Sequence, residues 1–322
     1  QNNLTGVLRT IAERTQSKTD YIALSESYGA SVAAKDRTRI RDGRDLDAAS
    51  RAWALGLAGE YGNDIKLLEQ AAEIYRGIPT HADMPAQDRL FHVLNFSRTL
   101  YLLANSGGGD PARREAIALV DDNWSLIDKE GSAEQKVNAL IDRANLLYAI
   151  SYTDPKAVTP TEVEEAFAQA ASVARSESDP QLLRAAQRAL AGYQFATVED
   201  PAFSAEQMQS GLATLREMLA ATPKQTDQAA WAEFANWYGY ALSLQGKREN
   251  NVASFEEALP LLRDALAAYQ SINDGLSVAH TQDSLCSALV GLGRLKQRRE
   301  LVAEGLDNCD RAVAYMRTND VS

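Results

Sequence analysis

Histidine and cysteine are scarce, with three of the first and two of the second in 322 residues. His81, His92 and His280 stand at none of the close spacings to each other or to a cysteine that hold zinc or iron, so no metal site is expected. No acid, base and nucleophile set assembles around them, and the chain reads as a non-enzyme that needs no cofactor. His92 itself falls on a predicted helix and reads as partly buried. Long apolar runs are missing too. Nothing approaches the roughly 18 residues that cross a bilayer, so no membrane insertion is expected. Proline (9) is sparse, aromatics make up 7%, and no segment alternates as a strand does, which leaves helix as the repeated element. Positive charge is in deficit. With 33 Lys and Arg against 44 Asp and Glu, the net charge of −11 has the wrong sign for a phosphate backbone, and no nucleic-acid partner is expected.

Other local patterns read as ordinary structure. The densest basic stretch, Lys35 to Arg44, is interleaved with Asp36, Asp42 and Asp45, as a solvated connector would be. Gly107 to Gly109 lacks the Lys-Ser/Thr ending and the preceding strand of a phosphate loop, so it is a turn. Glu164-Glu165 and Glu256-Glu257 recur at one frame position, which is how a solvated helix face looks. The chain begins with Gln1 and not Met, which reads as the trace of a removed leader, domain or tag. Its 24 Arg against 9 Lys fit a high-GC bacterial source.

What is present is a repeat. A small residue recurs in one frame at Ala71, Ala116, Ala166, Gly211, Ala258 and Cys309, with gaps of 45, 50, 45, 47 and 51 residues. Each has a small partner 18 to 23 positions upstream: Ala52, Ser97, Ala144, Ala189, Gly239 and Cys286. Two antiparallel helices approach closely only where neither presents bulk, so each pair marks the contact point of a helical hairpin. The units cover approximately 46–80, 86–128, 133–176, 180–221, 228–271 and 277–318. A weaker seventh, with Thr5 facing Ala23, covers 1–35. The fold class expected is all-α, a right-handed α-solenoid of antiparallel hairpins in one array over 1–322. Pro85, Pro111, Pro160, Pro180 and Pro201 stand at helix starts, and Gly246 and Gly293 read as terminators of first helices.

The last pair of the series, Cys286 and Cys309, has its midpoint in a predicted interhelical turn. That puts both thiols at one height, within reach of a disulfide. A bond there implies an oxidising compartment, for a bacterial chain the periplasm; free thiols leave the cytoplasm open.

The stretches Asn236-Trp-Tyr-Gly-Tyr-Ala-Leu with Phe255-Glu-Glu-Ala-Leu-Pro-Leu-Leu, and Asp283-Ser-Leu-Cys-Ser-Ala-Leu-Val-Gly-Leu-Gly-Arg, resemble the tetratricopeptide repeat. The period here exceeds the usual roughly 34 residues. The resemblance accommodates this as a bacterial variety with a lengthened connector inside each hairpin. It also implies that first helices line a concave, ligand-binding face. Registered on their small residues, those helices present Trp53, Arg98, Asn145 and Tyr240 one residue later and Tyr101, Tyr148 and Tyr193 four residues later. Asn95 and Asn236 come shortly before. Amide side chains pair with both donors and acceptors of an extended backbone, and tyrosine adds area at little entropic cost. The expected function is a protein-interaction scaffold that binds a protein or peptide segment in this groove. The alternative is a ligand- or peptide-sensing regulatory domain of a larger signalling protein, with a small molecule as the ligand.

Overall fold

The computed structural model describes residues 2–38, 43–79, 84–199 and 205–319. Among them are fifteen α-helices and no strand. The chain divides into two compact units, Gln1–Ala186 and Gln187–Ser322. Unit 1 holds α1 (Asn2–Thr15), α2 (Lys18–Thr38), α3 (Arg44–Gly62), α4 (Ile65–Arg76), α5 (Ala86–Leu103), α6 (Gly109–Asp122), a short α7 (Trp124–Glu130), α8 (Ala133–Thr153) and α9 (Pro160–Ser176). The helix α10 (Pro180–Glu199) begins in unit 1 and continues into unit 2, which holds α11 (Ala205–Ala221), α12 (Gln228–Glu249), α13 (Val252–Ser271), α14 (Gly275–Leu295) and α15 (Arg299–Thr318). Consecutive helices pack on one another within each unit, which is the plan of an α-solenoid.

The paired small residues lie at the helix contacts. Ala52, Ala71, Ala116, Ala144 and Ala258 are fully buried, and Ser97 and Ala166 nearly so. At Gly239 an added Cβ would lie 2.8 Å from the Leu262 side chain and 3.3 Å from the carbonyl oxygen of its partner, Ala258. That separation leaves no room for a side chain. Between the contact points larger residues fill the stack: Tyr75, Leu68 and Leu100 in unit 1, and Phe255, Leu215 and Leu262 in unit 2. The weak first unit is also a hairpin of α1 and α2, with the Thr5 and Ser27 hydroxyls 2.7 Å apart across it.

The connectors inside the hairpins differ in length: Asn63 and Asp64 alone join α3 to α4, and Asn250 and Asn251 alone join α12 to α13, whereas 104–108 separate α5 from α6 and 154–159 separate α8 from α9. Extra residues of the period also lie in the helices, which reach 22 residues in α12 and 21 in α8 and α14. One expectation about the turns is corrected. Gly246 and Gly293 do not end helices. Both lie in the last turns of α12 and α14, where a Cβ would fall 2.7 Å from the Phe255 ring and 2.8 Å from Val302 respectively. Besides glycines, the described residues with left-handed backbone that turn the chain are Gln16, Asn63, Ser178, Asn250, Asn273 and Gln297, with φ between 46° and 57°. Asparagine takes this conformation at low cost because its short polar side chain bonds locally.

Helix starts follow ordinary capping chemistry. Ser132 with Gln135 and Thr159 with Glu162 form reciprocal capping boxes, and Pro160 occupies the first turn of α9. Asp64, Asp227, Asn251 and Asp274 each accept from a backbone N–H of the turn that follows. Between α5 and α6 the chain passes through a wide turn over Ala104–Gly108, where Gly107 adopts φ 116°. Pro201 lies outside the described residues.

Charge reports the period independently. Among the described residues, ten ion pairs join side chains 38 to 46 positions apart, close to one repeat. In unit 1 they are Lys18–Asp64, Arg76–Glu115, Arg98–Glu60, Arg98–Asp142, Arg114–Asp154 and Lys136–Glu177. In unit 2 they are Arg188–Glu233, Lys224–Asp264, Arg263–Glu304 and Lys296–Glu256. Exposed pairs of this kind contribute about 0–1 kcal/mol each, so they add more to register than to stability. In the basic stretch, Lys35 pairs with Asp47 and Arg44 with Asp36 and Asp45. Among the described residues no helix is long and apolar enough to cross a membrane.

Candidate functional site

Four of the predicted groove residues meet in unit 1. The first helices α5 and α8 lie side by side and enclose a cavity of about 550 Å³ whose lining includes Asn95 and Arg98 of α5 with Gln135, Asn138 and Asp142 of α8. Arg98 reaches across the stack in both directions. Its Nη2 donates to Glu60 of α3 at 3.0 Å, and its Nη1 lies 3.6 Å from Asp142. The guanidinium also sits over the Tyr101 ring, 5.1 Å from its centre. The side-chain amides of Asn105 and Asn145 lie close enough to the Tyr101 hydroxyl to offset part of the effect of its burial. Asn95 donates to the Phe91 carbonyl one turn back at 2.7 Å, and its Oδ1 remains as an acceptor.

The electrostatics of this cluster follow from partial burial. Burial works against the charge on Arg98, but Asp142 and Glu60 outweigh it and raise the guanidinium above its ordinary range. Asp142 is only 22% exposed, and burial pushes its carboxyl up to about 6 against the opposing pull of Arg98. Burial, aided by the Asp142 charge, likewise raises the Tyr101 hydroxyl. The cavity therefore offers amide donors and acceptors around an Arg98 whose charge is already matched by two carboxylates.

The remaining predicted residues are elsewhere. Trp53 is half-buried with the first hairpin, its ring 6.1 Å from Tyr21 and beneath the Arg9 guanidinium at 5.0 Å. Tyr148 is half-buried on α8 and does not line the cavity. In unit 2, Tyr193 keeps only 4% of its surface and belongs to packing. Asn236 is half-buried, with an Oδ1 that has no hydrogen-bond partner. Tyr240 closes an aromatic group with Phe195, 5.7 Å away, and Phe195 in turn stacks on Trp237 at 5.6 Å. His92 is buried at 3% in the core between Tyr75 and Phe96, where burial lowers its pKa. His81 lies outside the described residues. Cys286 and Cys309 are joined as a disulfide between α14 and α15, with Cα atoms 5.3 Å apart.

Sequence reasoning missed Asp142, Glu60, Gln135, Asn138 and Trp237. A signal for two of them was present. Asp142 and Trp237 occupy the frame position of Asn95, two residues before the small residue, and extending that row to every repeat would have found both.

No family model and no curated protein matches the chain. Among solved structures it is similar to one described as a circular tandem repeat protein with novel repeat topology and enhanced subunit contact surfaces. The identity is 14%, the match covers 94% of this chain and 76% of that one, and the TM-score is 0.36.

Proposed function

We propose that the chain is a non-enzymatic interaction module that holds an extended segment of a partner protein along the α5–α8 face of unit 1. One observation carries this reading: Asn95, Gln135, Asn138 and Asp142 converge with Arg98 on a single polar cavity. Side-chain amides satisfy both the N–H and the C=O of an extended backbone, which a peptide entering such a cavity must not leave unpaired. The hairpin register supports a tetratricopeptide-like use of first helices as the binding face. The disulfide supports residence in an oxidising compartment such as the periplasm.

Selection of random dodecapeptides on the immobilised chain, followed by fluorescence anisotropy of the enriched sequences, tests the proposal. Asn138→Ala should weaken binding roughly tenfold, about 1.4 kcal/mol, while helical signal and melting stay unchanged. Enriched peptides whose affinity ignores this substitution and Asn95→Ala would move the binding face elsewhere.

A further inference from the structure

Unit 2 contains a second cavity, of about 390 Å³, lined by residues of α12, α13, α14 and α15. It lies at the lower end of the roughly 300–1,000 Å³ typical of small-molecule sites. Phe255, 1% exposed, lines it from a slot between Gly246 and Gly291, where a Cβ would come within 2.7 and 2.6 Å of its ring. Val290, Leu295 and Leu306 add apolar surface, and the last two are 37% and 53% exposed.

Two cations line the same cavity, Lys247 and Arg294, and no acidic residue does. They occupy one frame position in consecutive first helices, eight residues after Gly239 and Cys286. In α3 that position holds Glu60, which pairs with Arg98. Among the described residues neither Lys247 nor Arg294, both exposed, belongs to an ion pair. The nearby carboxylates are engaged elsewhere: Glu249 accepts from Gln245, and Glu256 holds Lys296. Each cation gains something from the carbonyl end of its own helix. What sets these two apart is that they border one apolar-walled cavity together, with no acidic residue in its lining to match them.

We infer that this cavity binds a small organic carboxylate with an apolar body. The oxygens lie between Lys247 and Arg294, and the body rests on Val290, Leu295 and Leu306. The site is independent of the peptide face in unit 1.

Titration calorimetry of the full chain with decanoate below its micellar concentration, and with decanol as the uncharged control, tests the inference. One decanoate should bind per chain, at least tenfold tighter than decanol. Lys247→Gln with Arg294→Gln should weaken decanoate at least tenfold, and the unliganded Tm should stay level or rise as repulsion is relieved. Leu306→Asp, a change at an exposed position, should abolish binding without altering the fold. Decanol binding as tightly as decanoate, no binding of decanoate, or affinity untouched by these variants would overturn the assignment. A fall in unliganded Tm on neutralising the two cations would do the same, by assigning them to the helix ends.

Discussion

Asp142 lies 3.6 Å from Arg98, at the far edge of an ion pair, because the shorter bond of that guanidinium goes to Glu60 at 3.0 Å. The Asp142 carboxyl, pushed up to about 6 by burial, binds its proton more tightly in the folded chain than in the unfolded one. It therefore favours folding as the pH falls from about 6 to 4, and its ionised form costs stability above 6. Asp142→Asn is expected to raise stability by about 1–3 kcal/mol at pH 8 and to have no such effect at pH 4, as read by urea unfolding. Arg98 keeps Glu60 in the variant, so no buried charge is orphaned.

His92 works in the opposite sense. Burial lowers its pKa, so below about 6.5 the unfolded chain takes the proton first and stability drops with falling pH. His92→Phe should flatten the decline between pH 7 and 5 in the same unfolding measurement. It also removes a ring nitrogen, Nδ1, that is buried without a partner. An unchanged slope would mean that other groups set the acid limit.

How much of this was legible depends on which residue carried the information. The small-residue frame was legible because close helix approach excludes bulk, and Gly239 against Ala258 is that rule in one contact. The turns were misread because glycine was taken as the terminator. Here Asn63, Asn250 and Asn273 turn the chain, and Gly246 and Gly291 instead make way for Phe255. In the site, Asn95, Arg98, Tyr101 and Asn145 were reachable from register alone. Whether a tyrosine faces solvent or core was not: Tyr101 and Tyr193 share a frame position, yet one is half-buried in a polar cluster and the other fully packed. What decides that is the side chains on neighbouring repeats, which a single-repeat frame does not contain.

The disulfide closes a span of 23 residues between the last two helices. By loop-closure entropy its removal should cost about 3 kcal/mol. Urea midpoints of the native chain and of Cys286→Ala with Cys309→Ala measure this, and a shift confined to probes in unit 2 is expected.

Glycine substitutions should split by surroundings. Gly291→Ala drives a Cβ to 2.6 Å from the buried Phe255 ring and should destabilise by about 1–3 kcal/mol. Gly6→Ala, in the exposed interior of α1 with nothing within 4 Å, should stabilise by about 0.5–1 kcal/mol. Thermal denaturation of the two variants checks both signs.

The ion pairs spaced by one repeat have a direction. In seven of the ten the cation comes before the carboxylate's hairpin; Lys136–Glu177 closes the α8–α9 hairpin on itself, and Arg98–Glu60 and Lys296–Glu256 run the other way. Where it holds, the bias gives a hairpin a cationic edge toward its successor and a carboxylate edge toward its predecessor. The array thus carries a head and a tail at its surface, and a hairpin turned end for end would forfeit these pairs.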